Sequence, residues 1–586
     1  MEAEQQQRRP VRAPAMRVRL VGHTAEPYAT AVASARTCYA RDFVFVGRLG
    51  PKGERQRVTL ESALPQHKAE LDEIGRADTP QERRIELVTA LGLGITDPLL
   101  KAALAAFADL ARQRAEGDRA IAASIYEAGH HTPFQHPTFI FALENVSRNV
   151  VESFLHNHIF YNSEQQSQRY VGMEEAEVHV PPTVAADPRL RALYEDAVRG
   201  AWDAYHDIRA MLVPAKVRVM AAIGKLKGQS PQKVEDEAEK KAQEMARYVL
   251  PVAAHTKLYH TVSGIVLLRY LRMCEAQGTP DEARELVERM LEEVARVDPA
   301  FVNTLRQEPR PRGEHLEWRL VQAGKAAAQV APLQGASELL HATPGAGGLV
   351  AAALREVTGT PLPEGELLGL VMDPGRNPAW NDTLNTWDHS PVLRTLRHVH
   401  LTFRKRLSLT AYAQDQRHRL TPGSRPLLQS CLSRPLDVVV PDAVASHPEA
   451  SARFRRAVDE LAHAIAELQA VGVPAHECTY LLPNATAVTY TQSGDLLAWI
   501  HKWRLRLCFN AQKEIFDASL AELRQAQAVL PALTRFVGPP CSFVAAAQPP
   551  ELQDSVSACC PEGPRWCGVK VWQNFDAAKG TPKRPY

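Results

Sequence analysis

The sequence predicts an α+β protein made of two tandem domains, each a sheet covered by long helices. One observation is the alternation of polar and apolar residues in "MRVRLVG" (16–22), which is typical of a strand. Another is the helical periodicity of the long segments 190–225, 233–249 and 281–296. The third is that motifs of the first half recur in the second, in a chain whose 586 residues are too many for one core.

The predicted elements follow one another in a similar order in the two halves. After the first strand we expect a helix in 26–40, a charged loop or insertion over 50–85, a helix at 121–129, a turn at "HHTP", the strand "HPTFIFALE" and a helix from Ser147. Later we expect a strand in "EHLEWRLVQ" (314–322), a loose connection or weak helix over 323–350, a turn at "DHSP", the strand "RHVHLTFRKR" (397–406) and helices at 451–471 and 495–526.

Direct comparison of the halves supports a repeat. "HTPFQHPTFIF" from His131 matches "HSPVLRTLRHVHLTF" from His389, "ARYVLP" matches "CTYLLP", and "LRMCEAQ" matches "LRLCFNAQ". Three matches in the same order indicate a tandem duplication of one domain. We expect a first copy at 15–310 with an insertion at about 50–118, a second copy at 314–537, and a cysteine-containing tail at 538–586.

Composition excludes several classes of protein. The chain has 69 basic and 67 acidic residues, so its net charge is only +2. We therefore expect no nucleic-acid partner. The polar N-terminus lacks the apolar core of a signal peptide, and runs such as "SGIVLLRYL" are too short to span a bilayer, so we expect no membrane association. Nine cysteines in so long a chain do not make a secreted disulfide framework, which predicts a reduced, cytoplasmic protein.

Two stretches of the second copy concentrate arginine. "QDQRHRLTPGSRP" (414–426) places Arg417, His418 and Arg419 side by side, and the guanidinium fork suits a phosphate. "WIHKWRLRLCFNAQKEI" (499–515) has the periodicity of a helix, in which Arg506 interrupts an apolar face. The simpler alternatives are a solvated basic turn and an ordinary salt-bridged arginine.

The first copy offers a different polar set. In "SEQQSQRY", Ser167, Gln168 and Arg169 place a hydroxyl, an amide and a cation in three consecutive positions, which suits a phosphate or a pyrimidine. Arg247 of "ARYVLP" lies close to a predicted helix end, just before Pro251. A polar loop is the simpler alternative for the first stretch.

Histidines and cysteines raise the question of a metal. The histidines show no helical i, i+4 pair, and no cysteine or carboxylate completes a set for His130, His131, His136, His156 and His158. The tail cysteines lack paired CxxC spacing, so free thiols are expected at Cys541, Cys559, Cys560 and Cys567. We therefore expect no metal site, and a metal enzyme is retained only as a third hypothesis.

Taken together, the motifs resemble the flavin-dependent thymidylate synthases. "VRLVGHTAEPYATAVASARTCY" and "HTPFQHPTFIFALENVSRN" look like the family's opening segments, and "SEQQSQRY" resembles the second half of its RHR-spacer-S-x-R-Y signature. "ARYVLP" and "LRLCFNAQKEI" resemble its later motifs. The resemblance implies an enzyme that binds FAD and uses NADPH and methylene-tetrahydrofolate as co-substrates to convert dUMP to dTMP.

The resemblance also implies residue roles and an assembly. It assigns catalysis to Arg506 and Arg272, cofactor binding to His136, Gln414, Arg417, His418, Arg419 and Asn510, and substrate binding to Ser167, Gln168, Arg169 and Arg247. Since the family is homotetrameric, a fused chain is expected to form a homodimer that acts as a pseudo-tetramer.

Each copy lacks part of the motif set, and the losses are complementary. The first copy has His156, Asn157 and His158 where RHR is expected. The second lacks S-x-R-Y and has Thr479 in place of the arginine of "ARxxLP". Because sites of the family form at subunit interfaces, we expect one composite site shared by the two copies. The alternative is a non-catalytic flavin- or nucleotide-binding paralogue with a structural or regulatory role.

Overall fold

The computed structural model describes residues 10–37, 120–323, 333, 335–433 and 435–585. The predicted loop at 50–85 and the insertion expected at about 50–118 lie outside the described residues.

Strands and helices alternate along both halves. The strands are β1 (Val11–Arg12), β2 (Arg17–His23), β3 (Thr138–Ser147), β4 (Asn162–Gln165), β5 (Ala176–Glu177), β6 (His255–Ser263), β7 (Ser337–Ala342), β8 (His400–Ser408), β9 (Gly423–Ser424) and β10 (Ala487–Asp495). The main helices are α1 (Pro27–Thr37), α2 (Pro188–Lys227), α3 (Pro231–Ala246), α4 (Gly264–Met273), α5 (Glu282–Val297), α6 (Pro299–Leu305), α7 (Leu316–Ala323), α8 (Ala346–Thr358), α9 (Glu364–Met372), α10 (Leu409–Asp415), α11 (Pro448–Ala470), α12 (Leu496–Arg506), α13 (Lys513–Val529) and α14 (Pro540–Ala546).

Two four-stranded sheets share one topology. Their strand orders are β2-β3-β6-β4 and β7-β8-β10-β9, and all neighbours are antiparallel. The second strand of each sheet ends in a serine that caps the following helix, because Ser147 accepts from the amide of Val150 and Ser408 from that of Ala411. The predicted α+β fold with two tandem domains is therefore confirmed.

One strand prediction was wrong. "EHLEWRLVQ" (314–322) contains helix α7 rather than a strand, and the edge strand of the second sheet is β7, in the region expected to be loosely structured. In so short a run, apolar residues at alternate positions can also lie one helical turn apart, as Leu316 and Leu320 do. The pattern therefore does not distinguish a strand from a helix.

A second correction concerns the predicted helix at 495–526. The chain forms two helices, α12 and α13, separated by a turn at 507–512. Gln512 has an extended backbone and starts the second helix. The helix predicted at 499–515 therefore ends at Arg506, and the turn directs the following side chains toward the first copy.

The two copies join through their "ARYVLP" and "CTYLLP" segments. The amide of Val252 donates to the carbonyl of Leu482 at 2.9 Å, and the amide of Asn484 donates to that of Leu250 at 2.8 Å. Two further bonds flank this pair. The amide of Ala253 donates to the carbonyl of Tyr480 at 2.9 Å, and the amide of Ala485 donates to the carbonyl of Tyr248 at 2.8 Å. Every bond in one direction has its mirror in the other, which is the pattern of an isologous two-fold interface within one chain.

Buried carboxylates reinforce this seam from both sides. Glu514 accepts from the backbone amide of Ser408 at 2.6 Å and from the hydroxyl of Tyr248 at 2.6 Å. Glu282 accepts in the same way from Ser147 at 2.8 Å and from the hydroxyl of Tyr480 at 3.4 Å. Each carboxylate thus connects the end of a strand in its own copy to a tyrosine of the other copy.

A group of four buried charges lies under the arginine-rich turn of the second copy. Asp415, at the end of α10, accepts from Lys405 Nζ at 2.9 Å and Lys502 Nζ at 2.6 Å, and Lys405 contacts Glu522 at 2.6 Å. All four side chains are fully buried. Burial alone would raise the pKa of Asp415, but the two ammonium groups lower it below its usual range. The carboxylate therefore stays charged and fixes the end of α10.

We expect Asp415→Asn to lower the free energy of unfolding by about 3–5 kcal/mol, because it leaves two buried ammonium groups with one carboxylate. Urea unfolding followed by circular dichroism measures the change. The control is Asp437→Asn, which breaks an exposed ion pair with Arg406 and should cost less than about 1 kcal/mol. A loss below about 1 kcal/mol for Asp415→Asn would contradict the assignment.

Candidate active site

Arg169 of the first copy reaches across the seam to the second. Its Nε donates to Glu244 at 2.6 Å, on the last turn of α3, and its Nη2 donates to the carbonyl of Asn510 at 2.7 Å, in the turn at 507–512. The hydroxyl of Ser167 accepts from the Arg169 backbone amide at 3.2 Å, which shapes the turn after β4. Two copies therefore hold one guanidinium.

Arg247 makes a second connection between the copies. Its Nη2 donates to Gln512 Oε1 at 2.6 Å. The same oxygen accepts from Gln414 on α10, and the Gln512 amide donates to the hydroxyl of Tyr248. The amide of Gln512 is thereby fixed in one orientation between residues of both copies.

Arg506 ends α12 and contacts the arginine-rich turn. Its Nε donates to His418 Nε2 at 2.7 Å, and its Nη2 donates to the carbonyl of Gln414 at 2.9 Å. Because arginine has no acceptor, His418 Nε2 must be unprotonated and the ring proton must be on Nδ1. Burial and then Arg506 lower the pKa of His418 well below its usual value, so the ring is neutral.

The two other cations of this turn face the first copy. Arg417 donates to the carbonyl of Ser163 at 3.1 Å, and 44% of its side chain is exposed. Arg419 donates to the carbonyl of Ile159 at 3.3 Å and stacks on Tyr161, with 5.1 Å between its Cζ and the ring centroid. In these contacts the guanidinium groups of Arg417 and Arg419 each use only some of their N–H donors.

Positive charge exceeds negative charge around this network. Burial lowers the pKa of Arg506 to about 10, and Asp415 opposes this while Arg169 and Arg417 add to it. Burial lowers the pKa of Arg247 to about 10, which Glu244 opposes and Arg169 reinforces. The arginines of both copies are thus within electrostatic reach of one another, an arrangement that an added anion would stabilise.

Sequence motifs missed several charged residues of this site. Glu244 is buried beside Arg169, and three further cations act on it or on its neighbours: Lys216, Lys241 and Arg584. Burial lowers the pKa of Lys241 to about 8, and Glu244 opposes that change. The only sequence signal was that Glu244 and Lys241 lie on the same helix face, less than two turns before "ARYVLP".

Buried polar atoms at the site lack partners. Gln168 accepts from Asn484 at 3.3 Å and its carbonyl accepts from Gln243 at 2.8 Å, but its Nε2 has no hydrogen-bond partner. Arg247 Nε and Gln414 Oε1 also lack one. Such buried groups are costly unless a ligand or water satisfies them.

Two predicted site residues are not part of this network. Arg272, on the last turn of α4, donates from Nη1 to the carbonyl of Glu308 at 3.0 Å. His136 is exposed just before β3, and its carbonyl accepts from Thr24 at 3.5 Å. A cavity of about 540 Å³ beside β7 is lined by none of the network's residues.

The histidines weighed as a third hypothesis do not form a candidate metal cluster within the described ranges. There, the one group with three ligand atoms close together is Asp281, His476 and Glu477. Its members already have protein partners, since His476 pairs with Asp281 at 2.9 Å and Glu477 accepts from Thr183 at 2.6 Å. In the described part of the chain, no helix is both long and apolar enough to cross a bilayer.

Comparison with known proteins gives a consistent result. The family model described as thymidylate synthase complementing protein matches residues 19–300 and again 338–532. The flavin-dependent thymidylate synthase of Clostridium tetani is 34% identical over 171 residues, 29% of this chain and 64% of that protein.

Two further proteins of the same name extend the comparison. That of Nitratidesulfovibrio vulgaris is 32% identical over 155 residues, 26% of this chain and 55% of the relative. That of Geobacter sulfurreducens is 29% identical over 193 residues, 32% of this chain and 76% of the relative. The matched part of the chain thus spans just over half to about three quarters of these relatives.

Glu244→Gln should destabilise the protein in a pH-dependent way. Burial would raise the pKa of Glu244, but Arg169, Lys241 and Arg247 lower it from 4.5 to about 2. A lowered carboxyl pKa stabilises the fold above the unfolded value, and this contribution is lost as the pH falls from about 4.5 to about 2. We expect a deficit of about 3 kcal/mol at pH 7 that shrinks over that window, measured by urea unfolding.

The matched control is Glu195→Gln, whose partner Arg191 is half exposed; its effect should stay below about 1 kcal/mol at each pH. Equal deficits for Glu244→Gln at pH 7 and pH 3 would show that Glu244 is not held as an anion by these cations.

Proposed function

We propose that this chain, which belongs to the thymidylate synthase complementing protein family, is a flavin-dependent thymidylate synthase with one composite site. The proposed reaction is the reductive methylation of dUMP to dTMP, with FAD bound and with NADPH and methylene-tetrahydrofolate as co-substrates. The observation that carries the proposal is the single network that joins the first copy to the second: Arg169, Glu244, Arg247, Gln414, His418, Arg506, Asn510 and Gln512.

The phosphate of dUMP is assigned to the cationic side of the network. Arg169 and Arg247 would bind it, because both act on the carboxylate of Glu244 and, with Lys241, exceed its charge; the Ser167 hydroxyl would add a donor. A phosphate would accept from Arg247 Nε, which has no partner among the described residues. The Gln168 amide is suited to the pyrimidine, since its unpartnered Nε2 is a donor.

Flavin binding is assigned to the exposed side of the arginine-rich turn. Arg417 and Arg419 retain donors for the cofactor's phosphates, and Gln414 Oε1 offers an acceptor without a partner. We also assign His418 and Asn510 to the cofactor side; in the structure His418 orients Arg506 and the Asn510 carbonyl orients Arg169. The cofactor, when bound, supplies the hydride chemistry.

Arg506 is the residue that we assign to catalysis. Its guanidinium is held at two points, by His418 and by the Gln414 carbonyl, so it does not need to reorganise. A fixed cation next to the uracil ring stabilises the negative charge that develops there in the transition state. His418 stays neutral, because in a protonated ring the N–H at Nε2 would point at the N–H of Arg506 Nε.

The assembly and compartment follow from the same features. The seam already supplies an isologous pairing within the chain, so we propose a homodimer equivalent to a four-domain assembly. The described cysteines are all free, which fits a reducing, cytoplasmic environment.

Arg169→Ala and Arg417→Ala should each abolish catalysis although they lie in different copies. We expect release of tritium from [5-³H]dUMP to fall by about 100-fold or more for either variant, because each removes a preorganised cation. The assay contains FAD, NADPH and methylene-tetrahydrofolate. The control is Arg284→Ala, an exposed residue paired with Glu275, whose activity should equal that of the unchanged protein.

Two results would argue against the composite site. Full activity in either arginine variant means that the two copies do not share one site. Tight dUMP and flavin binding without tritium release from the unchanged protein would favour the non-catalytic paralogue instead.

A further inference from the structure

Three guanidinium groups meet consecutive residues of the turn at 507–512. Arg169 donates to the Asn510 carbonyl at 2.7 Å, Arg247 to the Gln512 side-chain oxygen at 2.6 Å, and Arg584 of the tail to the Ala511 carbonyl. The three arginines come from a loop, a helix end and the tail, so only the folded chain brings them together. Arg169 and Arg247 belong to the network that joins the copies, and Arg584 extends that network into the tail.

The tail is anchored to the second copy ahead of this arginine. The carbonyl of Ala577 accepts from a side chain of α13 at 2.8 Å, and Ala577 is buried in the core of that copy. Asp576 and Gly580 then exchange two backbone hydrogen bonds, of 3.0 and 2.7 Å, which reverse the direction of the chain. After this reversal Arg584 lies over the ring of Phe516 on α13, with 5.4 Å between its Cζ and the ring centroid. The fold of the tail therefore places a cation at the turn.

Two partly buried lysines add to the positive charge at this place. Lys241 precedes Glu244 by about one turn on α3, and Lys216 lies on α2, which packs against α3. Burial lowers the pKa of Lys216; Glu244 opposes this change and Arg584 adds to it. Together with the three arginines, the lysines make five cations beside the carboxylate of Glu244. Such like charges repel one another at low dielectric unless further anions lie among them.

The N–H donors at this place fit a phosphate monoester. Arg247 Nε is buried and has no hydrogen-bond partner among the described residues, and Nε and Nη1 of Arg584 are buried as well. A guanidinium binds phosphate through a pair of N–H groups, and a monoester offers three terminal oxygens to accept from them. Because a monoester carries about two negative charges at neutral pH, it offsets more of the excess positive charge than a singly charged anion does.

We propose that Arg584 is a third arginine of the phosphate site, and that the tail closes this site over the phosphate monoester of a nucleotide. The inference rests on the proposed function, which assigns the phosphate of dUMP to Arg169 and Arg247. It extends that function beyond the repeated domain, since the second match to the family model ends at residue 532. A residue of the tail thus completes a site that the two copies share.

As a phosphate ligand, Arg584 binds the substrate and takes no part in the chemical step. The phosphate stays unchanged while the uracil ring reacts, so its contacts are equally strong in the bound substrate and in the transition state. Loss of such a contact raises KM and leaves kcat largely unchanged. The flavin is assigned to the turn that carries Arg417 and Arg419, so retention of FAD reports on folding and not on Arg584.

Steady-state tritium release from [5-³H]dUMP tests this role. We expect Arg584→Gln to raise the KM for dUMP by about tenfold or more, because it removes a charge-assisted contact, and to change kcat by less than about twofold. Glutamine keeps a donor for the Ala511 carbonyl, so the turn can keep its hydrogen bond. Arg584→Lys, which keeps the charge, should recover part of the affinity. The control is Lys583→Ala, which removes the adjacent, exposed cation of the tail and should leave the KM unchanged.

Ligand-induced stabilisation extends the test to a protein that does not turn over dUMP. Added dUMP, or inorganic phosphate at higher concentration, should raise the melting temperature of the unchanged protein and of Lys583→Ala. In Arg584→Gln with its FAD retained, we expect at most about half of that rise at equal ligand concentration. This pattern without tritium release from the unchanged protein would support the role of the tail and reject the proposed reaction.

Two results would overturn the proposal. One is a folded Arg584→Gln variant with the KM for dUMP and the phosphate response of the unchanged protein, which under normal turnover rejects the role of Arg584 alone. The other is an unchanged protein whose melting temperature responds neither to dUMP nor to inorganic phosphate.

Discussion

The antiparallel pairing of "ARYVLP" with "CTYLLP" is the constraint on which the rest of the structure depends. It fixes the copies about a pseudo-two-fold axis and buries Tyr248 and Tyr480 against carboxylates of the opposite copy. The axis creates two equivalent locations, but the side chains there differ. Arg247 meets Gln512 at one location, whereas Thr479, at the corresponding position, accepts from Asn149 at 3.1 Å at the other.

The copies also differ in what supports the turn after the capped helix. His260 and Gln492 are equivalent, because they pair with Phe141 and Phe403 on the adjacent strands. Gln492 accepts from Lys502 at 2.6 Å within the four-charge group, whereas His260 contacts the hydroxyl of Tyr270 at 2.9 Å. Burial lowers the pKa of His260 to about 3, so this cluster is neutral. Buried ion pairs therefore support the turn that carries Arg417 and Arg419, whereas neutral hydrogen-bonded side chains support the turn that carries His156 and His158.

Much of the fold was predictable from sequence, because strands such as β2 and β8 and helices such as α2 and α5 have clear periodicity. That the two copies pair could be inferred only from the motifs that recur in both halves and from the complementary motifs that each half lacks. Glu244, Lys405 and Lys502 were not predicted, since a buried charge is recognisable only when its partner in space is known. The break after Arg506 was missed because the turn at 507–512 contains no Gly or Pro.

The polar groups at the second location differ from those at the first. Gln277, the counterpart of Gln512, donates to Gln429 at 2.8 Å, so that amide pair is satisfied without a ligand. Arg425 remains there; it donates to Ser153 at 3.1 Å and lies near buried Glu152, whose pKa it lowers against a larger effect of burial, while its Nε and Nη1 have no hydrogen-bond partner among the described residues. In a homodimer of identical subunits, a substitution that pairs side chains in this way would be present in both sites. Fusion removes that linkage, because the two locations then contain different residues and can change independently of each other.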